Sequence, residues 1–181
     1  VNVAFVNVAP VANDDSFTLA EDTSSFSTPL ATGLPANDSD ADGDTLTYSE
    51  LTNVSNGVLQ LFADGGFNYE PGVDFNGQDS FVYSVDDGNG GTDTATVNFT
   101  VTPVNDSPAA DNDSGFTTGF NTAININAGT LLANDSDIDG DILTIVTVSD
   151  APFGDGGTAV LDGTTVIFTP DIGFSGTSFF Q

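Results

Sequence analysis

The sequence predicts an all-β chain built from two tandem antiparallel β-sandwich modules. Three observations carry that expectation. Apolar residues alternate with polar ones at a period of two, an acidic segment recurs about one module-length downstream, and signals for helix are nearly absent.

The repeat sets the frame. Asn37-Asp38-Ser39-Asp40-Ala41-Asp42-Gly43-Asp44 returns as Asn134-Asp135-Ser136-Asp137-Ile138-Asp139-Gly140-Asp141, and the surrounding landmarks keep step: Pro10 with Pro108, Phe17 with Phe116, Tyr69-Glu70-Pro71 with Phe168-Thr169-Pro170, and Phe75-Asn76-Gly77 with Phe174-Ser175-Gly176. The expected boundaries are 1–9 for the last strand of a preceding repeat, 10–105 for a complete module and 106–181 for a second module that stops opposite Val82. The opening Val1-Asn2-Val3-Ala4-Phe5-Val6-Asn7 earns its assignment by likeness to Phe99 through Asn105. A second module without the counterpart of Tyr83 through Val101 reads either as part of a longer array or as an acceptor for a strand from another chain.

Within the first module, Phe81, Tyr83 and Val85 alternate with Val82 and Ser84, and Ala95, Val97, Phe99 and Val101 alternate with Thr96, Asn98 and Thr100. Each run should bury one face of a strand. Val58 through Phe62 and Phe67 through Tyr69 flank Asp64-Gly65-Gly66, a hairpin signal that Asp162-Gly163 repeats in the second module. Glu occurs only at positions 21, 50 and 70, while Thr, Val, Asn, Asp and Gly dominate, which disfavours helix. Phe17, Phe67, Tyr69, Phe75, Phe81, Tyr83 and Phe99 are expected in the core.

Composition excludes whole classes of function. The 181 residues contain no Lys, Arg, His, Cys, Met or Trp, and 27 acidic residues give a formal charge of −27. Nucleic acids and anionic membrane surfaces are gripped by cationic side chains, so neither is expected as a partner. Disulfides, zinc sites, thiol nucleophiles and imidazole bases have no residues to form them. Paired carboxylates could hydrolyse glycosides in principle, but no cationic or His neighbour separates their pKa values, so no enzyme is expected. There is no 18-residue apolar run and no basic stretch preceding an apolar one, so no membrane insertion and no signal peptide are expected within these residues.

Self-repulsion at this charge opposes compaction, and bound cations would offset it. Asp38, Asp40, Asp42 and Asp44, with their twins Asp135, Asp137, Asp139 and Asp141, are the candidate metal ligands. Asp at positions 1, 3 and 5 with Gly at 6 begins an oxygen cage suited to Ca2+, but position 12, a bidentate Glu in the helix-loop-helix calcium loop, is Ser49 or Val146 here. Other segments must complete the cage. Glu21, Asp22, Asp86 and Asp87 are candidates in the first module. Phe120 and Asn121 replace Glu21 and Asp22 in the second, where altered coordination is expected. Asn105 and Asp106, ahead of Pro108, form either a cation site at the junction or an ordinary Pro-containing linker.

These residues carry a resemblance. The segments Asp14-Asp15-Ser16-Phe17, Glu21-Asp22-Thr23, the two NDSDxDGD stretches, Phe67-Asn68-Tyr69-Glu70-Pro71, Phe75 through Tyr83, Val85-Asp86-Asp87-Gly88 and Val104 through Pro108 are similar to bacterial cadherin-like, VCBS-type tandem repeats. The likeness covers nearly the whole chain. It implies immunoglobulin-like sandwiches, secretion to the cell surface, Ca2+ at the eight Asp named above, and a place in a large RTX-type adhesin or biofilm protein. Neighbouring repeats of the same chain are the implied partners, and a cell-surface or polysaccharide ligand would be met elsewhere in the parent protein. The role expected is a calcium-stiffened spacer. The alternatives are a filament subunit, in which strand exchange makes a homo-oligomer, and a polysaccharide-binding module.

Overall fold

A computed structural model describes residues 6–29, 32–149 and 156–181. Most of the expected strand at 1–9 therefore lies outside the described residues, and 6–10 carry no strand. The chain divides into two compact units, Val1–Val104 and Asn105–Gln181.

The first unit is a two-sheet sandwich. Its strands are β1 (Asp15–Ala20), β2 (Phe26–Thr28), β3 (Thr47–Thr52), β4 (Gly57–Leu61), β5 (Phe67–Pro71), β6 (Gly77–Asp86) and β7 (Thr92–Thr102), with a short 3-10 turn at Leu34–Ala36. One sheet runs β1-β7-β6-β3 and the other β2-β5-β4. Alternation along β6 and β7 delivers Phe81, Tyr83, Val85, Ala95, Val97, Phe99 and Val101 to the interior. From the opposite sheet come Phe67 and Tyr69. Tyr69 stacks on Phe99 at 4.1 Å between ring centroids, and Phe67 meets Phe17, Phe81 and Phe99 edge-on at 5.3–5.8 Å. Such pairs add about 0.5–1.5 kcal/mol each beyond the area they bury.

The β4–β5 hairpin closes as its turn residues demand. Gly65 takes φ +87°, and Asp64 accepts a hydrogen bond from the Gly66 amide at 3.1 Å. One pairing departs from the antiparallel expectation. β1 lies parallel to β7, from Asp15 beside Val97 to Ala20 beside Thr102. Strands distant in sequence can pair in either sense, whereas a tight hairpin forces the antiparallel one. Asp79 is a buried acid that the sequence reading passed over. Its carboxylate accepts from the amides of Ser55, Asn56 and Ser80 and from the Tyr69 hydroxyl at 2.8–3.0 Å, tying the β3–β4 loop to the core.

The second unit has one regular sheet, ordered β8-β10-β9, from β8 (Ile124–Asn127), β9 (Gly157–Asp162) and β10 (Thr165–Pro170). A single helical turn, α1 (Ala128–Leu131), follows β8, capped by Asn127 Oδ1 accepting from the Gly129 amide at 2.8 Å. Its core centres on Ile126, Leu131 and Val166. Residues 113–119, the counterpart of β1 in the repeat, form no ladder, and Phe116 among them is 38% exposed. Part of the β3–β6 pairing has its equivalent among the described residues. Ser149 and Gln181 exchange two backbone hydrogen bonds, the register of Thr52 beside Val82 in the first unit.

Candidate metal centre

The acidic loops are built locally, and built alike. In the first unit, Val11 and Ser39 exchange backbone hydrogen bonds at 2.8 and 3.0 Å, the Asn13 amide donates to Asp38 Oδ1 at 2.8 Å, and the Asn37 side chain donates to the carbonyls of Asn13 and Asp14. Asp40 Oδ1 accepts from the amides of Asp42 and Asp44 at 2.8 and 3.1 Å, and Gly43 makes the bend at φ +78°. That φ favours glycine. The second unit repeats each feature. Ala109 pairs with Ser136, the Asp111 amide donates to Asp135, and Asn134 reaches the carbonyls of Asp111 and Asn112. Asp137 accepts from the amides of Asp139 and Asp141, and Gly140 also sits at φ +78°.

In the first unit the side chains of Asp40, Asp42 and Asp44 converge, with ligand oxygens within 4.8 Å of one another. Asp40 Oδ2 is enclosed and makes no hydrogen bond. The loop 86–91 flanks this cluster. Asn89 Nδ2 donates to Asp44 Oδ2 at 2.8 Å, and Asp87 accepts from the amides of Asn89 and Gly91 at 2.7 and 2.9 Å. Asp86 turns to the Gly88 amide at 2.6 Å.

Asn7 and Val8, which the sequence reading did not single out, close the other side. The Val8 amide donates to Asp42 Oδ2 and Asn7 Nδ2 to Asp87 Oδ2, both at 2.7 Å, leaving Asn7 Oδ1 enclosed without a hydrogen bond. The Asn7 hydrogen bond, with those from backbone amides, holds the Asp87 carboxyl below the usual range. The available signal for Asn7 was its place in a Val-Asn segment like that ending in Asn105.

Other candidates sit elsewhere. Asp38 is turned toward the core, where the Tyr83 hydroxyl donates to it at 2.9 Å, and burial raises its carboxyl. Glu21 follows β1, whereas the 40–44 loop lies beside the residues preceding β1. A six-residue strand, about 20 Å, separates them. Glu21 instead accepts from the Val104 amide at 2.6 Å and from Asn76 at 3.2 Å, and Asp22 is an exposed turn residue at φ +60°. In the second unit, Asn105 donates to the Asp106 carbonyl, and the Asp106 amide donates to Asp139 Oδ2 at 2.7 Å, as Val8 does to Asp42. No described residue of that unit stands in for the 86–91 loop.

Comparison with known proteins agrees with this architecture. Residues 7–100 match the model of the bacterial Ig domain, and residues 104–181 match that of the cadherin-like domain. No curated protein matches the chain. Among solved structures, Protocadherin Gamma B2 extracellular cadherin domains 1–5 align at 18% identity and TM-score 0.52, over 90% of this chain and 32% of that one. Domains 3–6 of the same protein align at 17% and 0.51, over 90% and 39%. An endo-fucoidan hydrolase of glycoside hydrolase family 107 aligns at 23% and 0.44, over 91% of this chain and 24% of that one. The chain thus spans about a quarter to two fifths of the length of these proteins, and the likeness to the protocadherins is one of all-β fold.

Proposed function

The chain belongs to the bacterial Ig domain family, and from that premise we propose that it is a calcium-stabilised extracellular repeat, a spacer within a surface adhesin or biofilm protein. One observation carries the reading: three carboxylates gathered within 4.8 Å, one oxygen of Asp40 enclosed without a partner, in a protein with no cationic side chain. Clustered carboxylates repel one another unless a cation or proton sits among them. Ca2+ suits an all-oxygen, irregular cage. Asp40, Asp42 and Asp44 would bind it, with oxygens of Asp87 and Asn7 from the flanking segments. The ion would fasten the 40–44 loop, the 86–91 loop and the strand-entry segment at Asn7 into one unit. The role is mechanical and needs no catalysis. Neighbouring repeats of the same chain are the partners.

The test is differential calorimetry of the chain in millimolar Ca2+ and then in chelator. Extracellular modules bind with a Kd of about 10⁻⁴–10⁻³ M. At the tight end, 1 mM Ca2+ contributes about 1.4 kcal/mol per site. Chelation should then lower the melting temperature of the first unit by about 5–10 °C, and by less in the second. An unchanged thermogram removes calcium from the reading.

A second reading is favoured by the Ser149–Gln181 pair, which takes up the register of the first unit while residues 113–119 stay unpaired among the described residues. A strand from another copy could complete that sheet and build a filament. Sedimentation at high concentration tests it, and a strictly monomeric chain rules it out.

A further inference from the structure

Three Asn-Gly pairs occur in the sequence: Asn56-Gly57, Asn76-Gly77 and Asn89-Gly90. Such a pair can modify itself, because glycine puts no Cβ beside its backbone nitrogen and so leaves that nitrogen room to reach the carbonyl carbon of the preceding side chain. The fold restrains two of the three. Gly57 opens β4 beside Pro71, and Asn56 is fixed by its amide on Asp79 at 2.8 Å and by its carbonyl, which accepts from the Gly72 amide and the Tyr69 hydroxyl. Gly77 opens β6 beside Val101, and the Asn76 side chain donates to Glu21 at 3.2 Å.

Asn89 and Gly90 belong to no strand. They lie exposed in the turn between β6 and β7, where Gly90 sits at φ +101° with no atom within 4 Å of the place a Cβ would take. The amides of this turn converge on the Asp87 carboxylate rather than on a ladder, so a local opening is enough to free them. The Asn89 side chain has one contact that gives the pair a consequence. Its Nδ2 donates to Asp44 Oδ2 at 2.8 Å, and Asp44 belongs to the outer acidic cluster.

We propose that Asn89-Gly90 is a self-modifying site, which loses ammonia and turns the donor facing Asp44 into a carboxylate. The Gly90 nitrogen gives up its proton and bonds to Asn89 Cγ, the Cγ–Nδ2 bond breaks, and ammonia departs, closing a succinimide ring. Water then opens the ring. Cleavage between Cγ and the Gly90 nitrogen yields aspartate, and cleavage at the backbone carbonyl carbon yields isoaspartate, so that one water is consumed and one ammonia released in either case. An ionised carboxylate only accepts hydrogen bonds. Asp44 therefore exchanges a donor for a like-charged neighbour, which loosens the turn in the absence of a cation. With Ca2+ present, the aspartate product adds an oxygen to those of Asp40, Asp42 and Asp44; this second half rests on the calcium reading above.

The test holds the full chain at pH 8 and 37 °C and then cuts it before each Asp, which leaves Asn56, Asn76 and Asn89 on separate peptides, 44–63, 74–78 and 87–92. Mass mapping should show deamidation at Asn89 at least fivefold faster than at the other two, with isoaspartate on the same peptide. Equal or slower conversion at Asn89 overturns the proposal. Asn89→Asp reproduces the aspartate product. It should melt lower than the parent chain in chelator and, by titration calorimetry, bind Ca2+ at least threefold more tightly. An unchanged melting temperature in chelator removes the coupling to Asp44. If the parent chain binds Ca2+ and the variant binds it no better, the added ligand is ruled out; a parent chain that binds none overturns the calcium reading itself, and the peptide map still decides the modification.

Discussion

The two units carry the same acidic loop with the same internal hydrogen bonds, yet among the described residues only the first surrounds it with a two-sheet sandwich. In the first unit the segment after the loop becomes β3, and the segment after the upstream stretch that the loop pairs with becomes β1. In the second, residues 113–119 and 142–148 form no ladder. The loop depends on contacts within itself and with the stretch about 25 residues upstream. The sheet depends on β7, which alone pairs with β1 and also flanks β6. No described residue of the second unit takes the place of β7, and Phe116 is 38% exposed where Phe17 packs against Phe26, Phe67 and Phe99. Local order and sheet order are thus separable in this protein.

The strongest test of that separation supplies a counterpart of β7. Appending the sequence of Tyr83 through Thr102 after Gln181, which stands opposite Val82, should convert residues 113–119 into a strand. Calorimetry should register a rise in the melting temperature of the second unit, and amide exchange at 113–119 should slow in parallel. If those amides stay unprotected, the absence of a β7 equivalent is not the cause of their disorderly pairing.

Removing the same contribution from the first unit should do the reverse. Phe99→Ala takes out the ring stacked on Tyr69 and should cost about 3–5 kcal/mol by denaturant titration. The acidic loop of the second unit should keep its exchange pattern. A loss confined to a few tenths would mean that the two sheets hold together without β7's central ring.

The smallest expected effect is one of pH. Asp15 has a folded-state pKa of about 6, above its ordinary 3.8. The protonated acid therefore favours the fold. Its contribution is complete below about 3.8 and is lost as pH rises through about 6. In chelator, the first unit should melt lower at pH 7 than at pH 5 by a margin that Asp15→Asn removes. Identical pH dependence in the variant would place the titrating group elsewhere.

Sheet architecture was legible because period two and turn chemistry are local signals. The alternation of Ala95, Val97, Phe99 and Val101 and the turn at Asp64-Gly65-Gly66 led directly to β7 and to the β4–β5 hairpin. The parallel sense of β1 against β7 was not legible, since strand direction across some eighty residues leaves no local mark. The same limit applies to the acids. Spacing alone made Asp38 equivalent to Asp40, Asp42 and Asp44, but the Tyr83 hydroxyl, reached only through the fold, draws Asp38 inward. Glu21 and the outer cluster fall at opposite ends of β1, a separation invisible in sequence. Asn7 carries no charge and stands outside the acidic motif, yet its side chain reaches Asp87 across eighty positions.

The parallel pairing of β1 with β7 also determines how the first module bears tension. Traction applied through the residues before Asp15 and those after Thr102 drags the two strands past each other lengthwise. All the hydrogen bonds between Asp15–Ala20 and Val97–Thr102 are then loaded together in shear, and none can be unzipped singly. A tether built this way resists sudden pulls along its axis.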